Sequence, residues 1–209
     1  YCAEVRLEGP RGRMHALAAE VIVLSFADGP AARAPIARLL AQAEALTRES
    51  GAPYEAALVL LSRAVAAIHT DWRPRAAIEP LEQADALLRD HCAGTQLERA
   101  WVGMALDNAL EVTGQLAKLA EIVRARELHA SERADNLDAL RIVSVPLVLL
   151  LEDRPEEVLA MVQARSSARR ECLPLLDFIA IGRGTAALLY RGDARAARAY
   201  YCLLYTSPS

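Results

Sequence analysis

Turn signals return at nearly constant spacing along this chain, and each separates two long stretches rich in Ala and Leu. Asp28-Gly29-Pro30, Asp71-Trp72-Arg73-Pro74, Gly114-Gln115-Leu116, Asp153-Arg154-Pro155 and Gly192-Asp193 each close one apolar segment and open another. From Asp28 through Asp71, Gly114 and Asp153 to Gly192 the steps are 43, 43, 39 and 39 residues. A period in that range constrains the fold severely. A unit of two helices cannot bury its own apolar face, so neighbouring units must stack to make a core. The predicted fold is all-α, a right-handed α-solenoid of helix-turn-helix repeats.

Composition agrees. The chain is 54% hydrophobic and 24% charged over 209 residues, enough to bury on the order of 70% of its unfolded surface. Only 5% is aromatic, which favours close helix packing over a sandwich or barrel. The longest uncharged apolar stretch, Ile142 to Leu151, is about half a membrane span and contains Ser144 and Pro146. A net charge of −3, with Arg interleaved among Glu and Asp, gives no basic footprint for nucleic acid. Cysteines at 2, 92, 172 and 202 form no C-x-x-C pair, and Cys92 and Cys172 read as buried thiols in a reducing, cytoplasmic compartment.

Both ends are expected to be truncations. Residue 1 is Tyr, and residues 202–209 break the Ala/Arg composition and resemble a translated sequencing-library adapter. The repeat array is therefore assigned to 1–201, and 202–209 to a non-native tail.

The predicted helices start with 13–27, closed by a left-handed cap at Gly29, and 34–49, with a core stripe at Ile36, Leu39, Leu40, Ala43 and Leu46. Ser50-Gly51-Ala52-Pro53 stops that helix and starts the next, 54–69, whose all-round apolarity places it between neighbours. The fourth contains Pro80, either as a kink or as its true start. Thr95-x-x-Glu98 is a capping box for 96–113. Leu116, Leu119, Ala120 and Val123 form the stripe of the sixth, and a seventh, kinked at Pro146, runs from Glu132 to Glu152. Asp153-x-x-Glu156 is a cap for the eighth, the ninth spans 173–190, and the tenth begins at Asp193.

No catalytic, cofactor-binding or metal site is predicted. The only Lys, Lys118, lies mid-helix, and no Walker motif or kinase signature is present. Gly182-Arg183-Gly184 has no preceding strand and is expected to let helices approach closely. His15, His69, His91 and His129 show no metal-ligand spacing and are read as solvated or capping residues. Ser62, Ser166 and Ser167 lack a nearby base. Trp72 and Trp101 are expected to pack the core between repeats, with an exposed anchoring role as the alternative.

Leu7-Glu8-Gly9-Pro10, Asp71-Trp72-Arg73, the stretch Ala84 to Thr95, Arg133-Ala134-Asp135 and Leu189-Tyr190-Arg191-Gly192-Asp193 carry a resemblance covering nearly the whole of 7–201. In them the chain resembles the tetratricopeptide-like region of large bacterial multidomain signalling proteins that join a serine/threonine kinase domain to an AAA-type ATPase. The resemblance implies a regulatory module that binds a protein, a peptide or the parent's own domains. ATP and Mg would belong to the parent alone. The period departs from that of ordinary tetratricopeptide repeats, so no peptide-binding position is carried over. The alternative is the inducer-sensing array of an ATP-dependent transcription activator of the maltose-regulator type.

Overall fold

The computed structural model describes residues 10–27, 29–133, 141–167 and 174–206. Among them are ten α-helices, one 3-10 turn and no strand: α1 (Pro10–Ala27), the 3-10 turn Gly29–Ala32, α2 (Arg33–Ser50), α3 (Pro53–His69), α4 (Arg75–His91), α5 (Gln96–Val112), α6 (Leu116–Arg133), α7 (Arg141–Leu151), α8 (Pro155–Ser167), α9 (Pro174–Tyr190) and α10 (Ala194–Thr206). The fold is the all-α helical repeat that the spacing demands. The chain divides into two compact units, Tyr1–Leu116 and Ala117–Ser209.

In the first unit, consecutive helices pack together and odd-numbered helices also pack on one another, α1 on α3 and α3 on α5. α3 is the centre: eleven of its residues are buried, among them Leu58, Leu61 and Val65, as its apolar circumference requires. Val21, Ile36, Leu39 and Ala66 join α1, α2 and α3 in one core cluster, which confirms most of the α2 stripe. In the second unit α7 packs on α8 and α9, and α9 on α10.

The three turns that stand 39 residues apart share one backbone conformation. Gly114, Asp153 and Gly192 all take the left-handed conformation, with φ of 72°, 59° and 80°. After each, one amide reaches back five residues: Gln115 N–H to Leu110 O, Arg154 N–H to Leu149 O and Asp193 N–H to Leu188 O, each 2.9 Å. These are three Schellman closures that satisfy the orphan carbonyls of α5, α7 and α9. The turn after α3 is wider. There Trp72, at φ 54°, holds the left-handed position, and Arg73 N–H bonds Ala67 O at 2.7 Å.

Several local expectations are corrected. Gly29 opens a 3-10 turn instead of a left-handed cap. Pro80 does not start a helix, because α4 begins at Arg75 and runs through it, as α7 runs through Pro146. Glu132 belongs to α6, not to the seventh helix. Thr95 and Glu98 do not form a capping box. The Thr95 hydroxyl donates to the carbonyls of Leu88 and Cys92 at the end of α4, both at 3.3 Å, while Glu98 is drawn across to α3. Asp153 closes α7, leaving Arg154 to precede α8. α10 runs past Cys202 to Thr206. No helix is long and apolar enough to cross a membrane among the described residues.

Candidate functional site

A chain of hydrogen bonds links the three odd-numbered helices of the first unit, α1, α3 and α5. Tyr54, in the first turn of α3, is 7% exposed, and its hydroxyl donates to Glu98 Oε1 of α5 at 2.9 Å. With that hydrogen committed, the hydroxyl oxygen is left to accept from His15 Nδ1 of α1, 3.2 Å away. This fixes the imidazole proton at Nδ1. His15 also stands 4.0 Å from Glu98, and its ring lies 5.4 Å from that of Trp101, tilted by 55°. The Arg11 guanidinium sits 5.0 Å from the centre of the Tyr54 ring.

The surroundings set the electrostatics. Burial, then the hydrogen bond and charge of Glu98, push the Tyr54 hydroxyl well above its ordinary pKa, so it remains a donor. Burial likewise raises the Cys92 thiol at the end of α4, with the charges of Glu55 and Glu98 adding to the rise and Arg11 opposing it. Glu55, next to Tyr54, is 4% exposed, and its Oε2 is buried with no hydrogen-bond partner. Two carboxylates, two aromatic rings, an imidazole and a guanidinium therefore share one face, supplied by one helix from each of three successive pairs.

The other residues singled out from sequence are scattered. His69 ends α3 and is half-buried beneath Phe26, 4.2 Å between ring centres, with its pKa lowered by burial. His91 is exposed in the last turn of α4, where an imidazolium suits the helix dipole. The Ser62 hydroxyl is spent on Leu58 O at 2.8 Å. The side chains of His129, Ser166 and Ser167, with Cys2 and Cys172, lie outside the described residues. Trp101 is half-buried, but Trp72 is 81% exposed. The core expectation fails for Trp72 because the left-handed turn carries it out of the helix stack. Among the described residues no three His, Cys, Asp or Glu side chains come together as a metal site.

Gly184 does serve close packing: a Cβ there would stand 2.6 Å from the Tyr200 ring of α10. Between the two glycines, Arg183 donates to Val143 O at 3.0 and 2.7 Å, beside the point where Pro146 interrupts the hydrogen bonds of α7.

The second unit contains an open cleft of about 720 Å3 between α6, α7 and α8. Its floor is apolar, with Val123, Val148, Leu149 and Met161. Arg124 and Arg154 grip Glu152 on its rim at 2.6 and 2.8 Å, and Arg141 pairs with Glu127.

Arg11 and Tyr54 lie one 43-residue period apart, and His15 and Trp101 lie two apart. That periodicity among polar residues is the signal that could have found the site; motifs of short spacing could not. Comparison with protein-family models, curated proteins and solved structures gives no match for the chain.

Proposed function

We propose that the chain is a protein-interaction and regulatory module whose odd-numbered helices form the recognition face. One observation carries this reading: His15, Tyr54, Glu98 and Trp101 converge from three successive helix pairs. No single repeat could hold such a constellation, and burying hydroxyl and carboxylate groups has no packing advantage over apolar residues of the same size. A recognition face made by stacking explains why polar groups stand where leucines would serve stability better. Membership of a bacterial kinase–ATPase signalling protein is the parent architecture that fits, with catalysis located elsewhere in that parent and a cytoplasmic setting.

A tiled peptide array probed with the 209-residue chain tests the reading. The expected result is binding to a subset of peptides that Trp101→Ala abolishes while the far-ultraviolet spectrum is unchanged. Hydrolysis of ATP, or tight nucleotide binding with a silent array, overturns it. The cleft of the second unit favours the inducer-sensing alternative, because its volume lies in the range of small-molecule sites. Saturable binding of a small metabolite that Met161→Trp blocks would establish that alternative.

A further inference from the structure

We infer that the face built by α1, α3 and α5 receives an arginine side chain of a bound polypeptide, and that Arg11 is an internal occupant of the same position. The inference rests on the interaction-module reading and names what the module binds.

Four observations converge. First, the face has more buried negative charge than it has partners for. Glu98 is engaged on one oxygen by Tyr54. Glu55 is 4% exposed and keeps a buried oxygen with no hydrogen bond. A carboxylate withdrawn from water is costly unless a cation or hydrogen-bond donor completes it. Second, the two carboxylates serve one location: the charges of both act on the Tyr54 hydroxyl and on the Cys92 thiol, and Arg11 opposes them at both. Third, the walls are aromatic, Tyr54 from α3 and Trp101 from α5, with His15 against the Trp101 ring. Fourth, a guanidinium is already there, over the Tyr54 ring.

Arg11 is suited to be a displaceable stand-in. It is exposed and sits in the first turn of α1, so its loss uncovers no core. Its position shows which chemistry the face accepts. A planar guanidinium can stack on Tyr54 while its N–H groups reach a carboxylate, whereas a compact, strongly hydrated ammonium has no face to stack. An incoming arginine that reached Glu55 or Glu98 as well as the ring would make the charge-assisted hydrogen bonds that Arg11 does not make.

The test uses Trp101 emission in the full chain carrying Trp72→Phe, which removes the exposed tryptophan. The probes are the capped peptide Ac-Ala-Ala-Arg-Ala-Ala-amide, its lysine counterpart and its neutral citrulline isostere. The expected order is arginine over lysine over citrulline, with the first and last separated on the order of tenfold or more. Arg11→Ala should tighten the arginine peptide by about three- to tenfold by removing the competitor. Glu98→Gln, which keeps an acceptor for Tyr54, should weaken it on the order of tenfold. Equal affinity for the arginine and citrulline peptides overturns the inference but leaves an interaction module. So does an Arg11→Ala chain that binds the arginine peptide no better than its parent, or not at all at millimolar peptide. If the peptide array is silent too, the interaction reading falls with it.

Discussion

The two units stack helix pairs by the same rule and differ in where they keep their polar groups. In Tyr1–Leu116, Tyr54, Glu55, Thr95 and Asp107 are buried, and the hydrogen bonds that hold the site together pass from one odd-numbered helix to the next. In Ala117–Ser209 the charges stand on the rim of an open cleft, and Ser144 is the buried polar side chain among the described residues. Periods differ as well, 43 against 39 residues, close to one helical turn. α8 has 13 residues where α2 and α4 have 18 and 17. The lesson is that repeat architecture constrains helix faces but not their chemistry. A polar group in a helix–helix seam opposes stability unless it is paired, so the first unit is the better place to look for selected function.

The comparison breaks most visibly through the core. Leu81→Ala in α4, where the side chain is fully buried, should cost about 2–5 kcal/mol. Amide exchange should quicken across α3 and α4 and stay unchanged in α8 and α9; equal acceleration in both units would erase the distinction. Tyr54→Phe should cost about 1–3 kcal/mol in guanidinium unfolding, because Glu98 loses its donor while its side chain is only 12% exposed. A neutral result would mean that the seam does not depend on its polar pair. For the second unit, Gly184→Ala should cost about 1–3 kcal/mol by driving a methyl group into Tyr200, and the same change at Gly182, which faces open space, should be close to silent.

Two smaller effects sharpen the contrast. Burial holds the His69 imidazole below its ordinary pKa of 6.5, so the unfolded chain takes up the proton more readily than the folded one. Its contribution is complete above about pH 6.5 and is lost as pH falls toward the lowered value. The thermal midpoint of the His69→Gln chain should therefore fall less between pH 7 and pH 5 than that of the parent; parallel profiles would refute the assignment. Smallest of all, Glu152→Gln removes the charge and one of the two acceptor oxygens on which Arg124 and Arg154 pair. It should change unfolding only marginally, and not at all at high salt.

Much of the fold was legible because turn chemistry is local. Gly51 at φ 62° followed by Pro53 at the start of α3, and Gly114 and Gly192 in their left-handed caps, follow from residue type within a few positions. Asp153 misled because Asp serves both as an N-cap and as a left-handed residue, and only the bond from Arg154 to Leu149 decides between them. Thr95 and Glu98 misled for a different reason: a partner 44 positions away, Tyr54, competes for the Glu98 carboxylate. The candidate site was invisible to motif reading throughout, because its members are brought together by stacking and their spacing is that of the repeat.

The contact between His15 and Trp101 also has a meaning in time. Neighbouring pairs can close early, since they join segments only a turn apart in sequence. The two rings, from α1 and α5, can meet only when α3 has found both neighbours, after the longest loop in that unit's site has been closed. Trp101 emission should therefore settle after the helical signal in a refolding trace, marking the moment at which the recognition face exists.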